Sequence, residues 1–303
     1  MKFPEIHSVN QEVKLPEKYG VSLYIKREDL IHDYISGNKY RKLKYNILEA
    51  ERQGKDTLLT FGGAFSNHIA AVAAAGEKFG FKTIGVIRGE ELADKVDDNP
   101  TLRYAKSCGM TFCFVSRSDY RKKNSDVFLQ SLAEQFGDFY PIPEGGTNNL
   151  AIKGSEEILA EDDNTFDYIC CAVGTGGTIS GIINSTYKHQ QIIGFPALKG
   201  DFLQKDISTF VTKENWRLQT DYHFGGYAKV NAELVDFINA FKRQYQIPLD
   251  PVYTGKMMYG IMDMIKKGHF ERGIKILAIH TGGIQGIAGM NSRLKQKQLP
   301  LID

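Results

Sequence analysis

The sequence predicts an α/β protein of two lobes built on largely parallel sheets, and three observations lead there. Short apolar runs alternate with longer amphipathic segments nearly from end to end, the pattern of strands joined by crossover helices. The 303 residues exceed what one hydrophobic core normally organises, about 250 to 300 residues, so two lobes are expected, each large enough to bury a core. Glycines and hydroxyl residues gather where apolar runs give way to helical periodicity, the positions at which open parallel sheets bind ligands.

In chain order, Leu23-Tyr24-Ile25-Lys26 reads as a strand over 23–26. Ser36-Gly37-Asn38-Lys39-Tyr40-Arg41-Lys42 follows as a tight turn opening a helix over 40–53. The apolar run over 57–61 is the next strand. It leaves through Gly62-Gly63, and Ser66 or Asn67 stands at the start of a helix over 67–79, whose stretch from Ala70 to Ala75 is made of small residues. Strands over 83–87 and 111–115 bracket a helix over 101–107. The polar, charged segment 116–124 reads as an exposed loop, ahead of helices over 127–136 and 150–160. The very apolar run 168–173 is a strand that ends in Gly174-Thr175-Gly176-Gly177-Thr178-Ile179-Ser180-Gly181, a glycine-rich turn at a helix N-terminus. Strands over 192–195 and 275–280 and helices over 233–245 and 255–267 complete the alternation, the last strand running into Thr281-Gly282-Gly283.

Charge and cysteine usage exclude several classes. With 38 basic and 36 acidic residues the net charge is +2, which leaves no electrostatic footprint for nucleic acid, and no interleaved basic and aromatic patch occurs. No apolar run approaches the roughly 18 residues of a membrane span, and Met1-Lys2-Phe3-Pro4-Glu5-Ile6-His7 lacks the apolar core of a signal peptide. A soluble, cytoplasmic protein is expected. Cys108, Cys113, Cys170 and Cys171 form no C-x-x-C pair, so buried reduced thiols are expected and no metal site.

Four junctions carry unusual chemistry. Lys39 in the first turn is one of 38 basic residues and alone reads as a solvated side chain. A lysine of ordinary pKa, about 10.4, is a poor nucleophile, so a working one needs a lowered pKa or a cofactor that captures its amine as a Schiff base. At the second, Ser66-Asn67-His68 sets three polar side chains after a Gly-Gly turn, more than helix capping alone requires. The third is the 174–181 turn, whose backbone N–H groups can approach an anion. A dinucleotide motif would place glycine where Ile179 stands, and a P-loop would need a lysine that does not follow, so both nucleotide readings fail. The fourth is Asp250-Pro251-Val252-Tyr253-Thr254, unremarkable in isolation.

Together these segments, from Leu23-Tyr24-Ile25-Lys26-Arg27-Glu28-Asp29 to His280-Thr281-Gly282-Gly283, resemble the pyridoxal-phosphate enzymes of fold type II, specifically the family of D-cysteine desulfhydrase and 1-aminocyclopropane-1-carboxylate deaminase. The resemblance implies two open, twisted α/β sandwich domains with largely parallel sheets: a large cofactor-binding lobe over 1–41 plus 152–303, and a small α/β lobe over 42–151. It implies pyridoxal 5'-phosphate carried on Lys39, with Asn67 at the phenolic oxygen, Gly174, Thr175, Gly176, Gly177 and Thr178 around the phosphate, and Thr254 at the ring nitrogen. Ser66, His68, Tyr227 and Tyr253 correspond to substrate-side residues, with Ser66 and Tyr253 taking part in catalysis. A small amino acid is the implied substrate, and a homodimer the implied assembly.

Within the family, the deaminases resemble D-P-V-Y-E and Ser-Asn-Gln, whereas this chain has Thr254 and His68, as the desulfhydrases do. A neutral hydroxyl holds the ring nitrogen protonated less firmly than a carboxylate, which favours prompt loss of a β-leaving group. The expected activity is β-elimination and deamination, with D-cysteine giving pyruvate, sulfide and ammonia. The alternatives are the cyclopropane-acid deaminase, giving 2-oxobutyrate and ammonia, and a cofactor-binding protein with little turnover. The last is suggested by Ile69-Ala70-Ala71, where the desulfhydrases carry a branched residue, arginine and glutamine.

Overall fold

A computed structural model describes residues 3, 4 and 6–303 of the chain. Among the described residues, ten strands are formed by β1 Asn10–Val13, β2 Ser22–Lys26, β3 Thr57–Gly62, β4 Lys82–Arg88, β5 Thr111–Val115, β6 Tyr140–Ile142, β7 Tyr168–Val173, β8 Gln191–Pro196, β9 Trp216–Leu218 and β10 Lys275–Ile279. The helices are α1 Asn38–Arg52, α2 Asn67–Phe79, α3 Pro100–Ser107, α4 Arg117–Tyr120, α5 Asp126–Phe136, α6 Asn149–Ser155, α7 Gly177–Ser185, α8 Phe202–Ser208, α9 Ala232–Tyr245, α10 Thr254–Lys266 and α11 Gly286–Gln296.

The strands make two sheets. One has the order β1-β2-β10-β7-β8-β9, parallel throughout except for β1, which runs antiparallel to β2; the other has the order β5-β4-β3-β6 and is wholly parallel. Alternate residues of each central strand enter opposite cores. Cys170 and Ala278 belong to one core of the large sheet, and Ile169, Cys171 and Leu277 to the other. In the small sheet Leu58 faces the core under α1 and α2, while Leu59 and Phe61 face the opposite one. Burial on both faces explains why these strands read as continuous apolar runs rather than alternating ones. Two α/β sandwiches with largely parallel sheets are the arrangement that the sequence led us to expect.

Helices α1 and α6 link the two sandwiches, and they approach so closely that a Cβ on Gly154 would lie 1.9 Å from the Arg41 carbonyl oxygen. Arg41 also closes a buried two-point pair with Glu28, both contacts at 2.9 Å. The lobe boundaries read at 41/42 and 151/152 fall within these two helices.

Two local expectations are corrected. Segment 116–124 is not simply an exposed loop. It holds the short helix α4, whose Tyr120 is 2% exposed and packs beneath the Arg88 guanidinium. The helix expected over 150–160 stops at Ser155, where the chain tightens into a 3-10 turn over Glu156–Ile158 and then extends at Leu159.

Candidate active site

A cleft of about 710 Å³ opens where the C-terminal ends of β3, β7 and β10 meet the start of α1. The first wall is the lysine turn. Gly37, at φ +58, sits so close to the β10 exit that a Cβ there would lie 2.1 Å from the Thr281 carbonyl oxygen, so only glycine allows the turn to dock. The turn begins α1 and presents Lys39, half-buried by exposed area yet enclosed by protein at the cleft floor. Burial pulls its amine down to about 8 from the ordinary 10.5, opposed by the more distant charge of Asp250. Lys39 Nζ donates to Asn38 Oδ1 at 3.0 Å, and Asn38 Nδ2 donates to Thr178 Oγ1 at 2.7 Å, so one asparagine ties the amine to the glycine-rich turn.

That turn follows β7. Gly176 adopts a left-handed conformation, φ +85, and caps α7, whose first N–H groups are not used within the helix. A Cβ on Gly177 would lie 2.8 Å from Thr147 Oγ1 and 3.3 Å from Lys42 Nζ, and one on Gly174 would lie 3.1 Å from the Tyr253 ring. Lys42 is a functional candidate that the sequence reading missed. It is 2% exposed, donates to the Gly145 carbonyl and to Thr147 Oγ1 at 3.0 Å, and has its amine held well below the usual range by burial and by Lys39. The signal for it was its position three residues after Lys39, on the same helix face.

The opposite wall carries Ser66, Asn67 and His68. Ser66 caps α2, its Oγ accepting from the His68 N–H at 3.2 Å and the Ile69 N–H at 3.4 Å, which leaves its own proton to donate into the cleft. The Asn67 amide is wedged between two glycines, its Nδ2 2.7 Å from where a Cβ of Gly283 would be and its Oδ1 3.2 Å from that of Gly286. Thr60 Oγ1 donates to the Ile142 carbonyl at 2.9 Å, so it accepts from His68 Nε2 at 2.8 Å, which fixes the Nε2-protonated tautomer. Burial together with the Lys39 and Lys42 charges keeps this imidazole neutral, its pKa well below the ordinary 6.5. Ile69, Ala70 and Ala71 are buried in the core, not on the cleft wall, so the departure noted at these positions leaves the cleft unaltered.

The fourth junction supplies Asp250 and Tyr253. Asp250 accepts from the backbone N–H groups of Val252, Tyr253 and Thr254 and from Thr254 Oγ1 at 2.7 Å. The Tyr253 and Tyr227 rings meet edge to face at 6.2 Å, and desolvation of the hydroxyls raises both phenols, although Tyr227 as a whole stays 47% exposed. Thr254 differs from expectation: it is fully buried behind the wall, its hydroxyl turned to Asp250 and away from the cleft, while carboxylates of Asp250 and Glu144 line the cleft.

A family model described as pyridoxal-phosphate dependent enzyme matches residues 10–282. The chain belongs to the pyridoxal-phosphate-dependent enzymes. It is 33% identical to a Pyrococcus furiosus protein provisionally named a 1-aminocyclopropane-1-carboxylate deaminase, over 94% of this chain and 93% of that one. It is 32% identical to the Arabidopsis thaliana protein named bifunctional D-cysteine desulfhydrase/1-aminocyclopropane-1-carboxylate deaminase, mitochondrial, over 88% and 74%. A crystal structure of an ACC deaminase homologue superposes with a TM-score of 0.81 at 29% identity, covering 96% of this chain and 94% of that one. These relatives place this pyridoxal-phosphate-dependent enzyme in the D-cysteine desulfhydrase and cyclopropane-acid deaminase family.

The cleft fits that cofactor. The glycine turn leaves empty the space that β-carbons would fill, and it places the α7 N-terminus and the Lys42 ammonium around one anion-sized position. A low-pKa amine at Lys39 lies one asparagine away.

Proposed function

We propose that this enzyme removes a β-leaving group from a small amino acid, with D-cysteine and water giving pyruvate, hydrogen sulfide and ammonia. The observation that carries the choice is position 254. A threonine stands there with its hydroxyl committed to Asp250, and the Asp250 carboxylate in turn already accepts from three backbone N–H groups and that hydroxyl, so neither residue offers a cofactor ring nitrogen a free carboxylate. A less electron-poor ring gives a shorter-lived carbanion, which favours a substrate whose leaving group departs at once. The Arabidopsis relative bears both activities in its name, which supports a second reading, opening of the cyclopropane acid to 2-oxobutyrate and ammonia.

When bound, pyridoxal phosphate supplies an aldehyde that condenses with amines and a conjugated ring that accepts an electron pair from a substrate carbon. The 174–178 turn and Lys42 would hold the phosphate, and Asn67 would meet the phenolic oxygen. Ser66 donates its free proton to the substrate carboxylate. With a pKa of about 8, roughly a quarter of Lys39 is unprotonated at pH 7.5, enough to take the proton from the substrate α-carbon. Tyr253 and Tyr227 keep their phenolic protons across the working pH range and donate toward the departing sulfur. His68, neutral, contributes shape and no charge.

The small lobe over 42–151 is proposed to close on the large one and exclude water from the reactive product, and two chains to associate as a homodimer. Among the described residues no helix is long and apolar enough to cross a membrane. The test is incubation of the loaded protein with D-cysteine, L-cysteine, β-chloro-D-alanine and the cyclopropane acid, following sulfide, pyruvate and 2-oxobutyrate. Sulfide and pyruvate in equal amounts from D-cysteine support the reading. Release of 2-oxobutyrate alone reverses it in favour of the deaminase.

A further inference from the structure

Lys256 takes no part in the chemistry above, yet it is 2% exposed and has no carboxylate partner among the described residues. Its ammonium donates to the carbonyl of His223 and to that of Gly226, both at 2.8 Å. These carbonyls close two successive turns, since the Gly226 N–H also donates to His223 and the Lys229 N–H to Gly226. Tyr227 follows directly on the Gly226 carbonyl, inside the second turn.

The segment is held in a conformation it would not adopt alone. Phe224, Gly225, Gly226 and Ala228 have φ of 53, 86, 111 and 53°, and two of the four are not glycine. Something must hold such a strap, and α10 provides it along one face. Lys256 gathers the two carbonyls, Tyr259 meets Phe224 edge to face at 4.9 Å, and Asp263 accepts from the Tyr222 hydroxyl at 2.8 Å. Gly260 lacks the Cβ that would lie 2.8 Å from the Tyr222 ring. Residues 256, 259, 260 and 263 are spaced as neighbours on one side of a helix. The same helix begins immediately after Tyr253. One rigid element therefore sets the positions of both tyrosines whose rings meet over the cleft.

We propose that Lys256 is a positioning residue that locks the 222–228 strap onto α10 so that the Tyr227 hydroxyl stands beside Tyr253; its effect on turnover rests on the reading of Tyr227 as a substrate-side group. A lysine suits the task because a tetrahedral ammonium has divergent donors and can satisfy two carbonyls at once. A methionine of similar length can satisfy neither.

The test uses the cofactor-loaded protein with Lys256→Met, Tyr227→Phe and the double variant. Hydrogen exchange of peptides covering 223–229 is expected to quicken by tenfold or more in K256M, with β7 peptides and cofactor content unchanged. Loss of kcat/KM on the best substrate is expected on the order of 10- to 100-fold in K256M. The double variant should lose no more than about twofold beyond Y227F, because residues acting through one group are not additive. Unaltered strap exchange in K256M overturns the anchoring. Additive losses overturn the route through Tyr227. Full turnover by Y227F overturns the substrate-side reading and the catalytic half of the proposal with it, while the exchange data still decide the anchoring. Should K256M fail to fold, Lys256→Gln retains one donor pair able to reach one carbonyl, and an intermediate exchange rate is expected; exchange and turnover equal to the natural protein overturn the proposal.

Discussion

Replacing Lys42 by methionine separates what the residue does for an anion from what it does for the fold. In the protein without cofactor the Lys42 amine is buried, held well below its ordinary pKa, and satisfied only by the Gly145 carbonyl and the Thr147 hydroxyl. Methionine fills similar volume and removes a desolvated amine, so the unloaded variant should keep its stability to within about 1 kcal/mol. The loaded protein should not. A charge-assisted hydrogen bond from an ammonium to a phosphate contributes about 1.5 to 3 kcal/mol, equivalent to a roughly 10- to 150-fold change in Kd. At a cofactor concentration 100 times the natural Kd, binding stabilises the folded state by about 2.7 kcal/mol; a 100-fold weaker Kd reduces this to about 0.4. Titrating stripped protein with pyridoxal phosphate, followed by its visible absorption, gives the Kd, and urea unfolding with and without cofactor gives the two stabilities. A variant that binds the cofactor as tightly as the natural protein refutes the assignment of Lys42 to the anion.

Lys39→Ala should bind pyridoxal phosphate without a borohydride-fixable adduct, whereas the natural protein, reduced and digested, should carry its label on the peptide containing residue 39 and on no other. In the unloaded protein, Lys39 has a folded pKa of about 8 against 10.5 unfolded, so the folded state binds fewer protons between these values and its stability rises with pH across that window. Lys39→Met should accordingly be the more stable protein at pH 7, by up to roughly 3 kcal/mol, with the gap closing between pH 8 and 10.5 in denaturant titrations. Gly154→Ala should lower stability by about 1 to 3 kcal/mol at unchanged urea slope, since its Cβ would lie 1.9 Å from the Arg41 carbonyl and must push α1 from α6.

The parts of the fold that the sequence announces are those buried on both faces. Strands β2, β3, β4, β7, β8 and β10 appear as apolar runs because neighbouring strands and covering helices enclose most of their residues, and the edge strand β5 shows because Phe112, Cys113, Phe114 and Val115 are half-buried against the small-sheet cores. The three strands that escape notice are edges: β1 and β9 of the large sheet and β6 of the small one. Asn10-Gln11-Glu12-Val13 is polar because one side meets solvent, and Tyr140-Pro141-Ile142 contains a proline that only an edge tolerates. Such strands are selected by the sheet they join, which periodicity cannot report. Helix α11 is similarly silent, opening with Gly286 and containing Gly289, where a Cβ would lie 2.6 Å from Phe65. In the cleft, Lys39, Ser66, Asn67, the 174–178 turn, Tyr227 and Tyr253 lie far apart in sequence and line one cavity. Asn38, Lys42 and Asp250 were missed because an amide, a second lysine and an aspartate carry no motif of their own; their meaning lies in what they touch.

Lys39 and Lys42 also explain each other. Two amines on one helix face, both enclosed and neither paired with a carboxylate among the described residues, are an expensive arrangement for a protein to maintain, and the cost appears in the lowered pKa of each. An anion at the α7 N-terminus relieves one of them only. Beside a phosphate, Lys42 regains its proton, because the charged form now has a partner at close range. That restored charge, one helical turn from Lys39, would oppose protonation of the second amine, which hydrogen-bonds to Asn38 and feels only the Asp250 charge in return. The same ligand therefore pushes the two lysines apart in pKa, making one a permanent cation that binds and the other a neutral amine that can react. A single lysine in this cleft could not be held in both states, and a carboxylate placed between the two would have neutralised the division by keeping both charged.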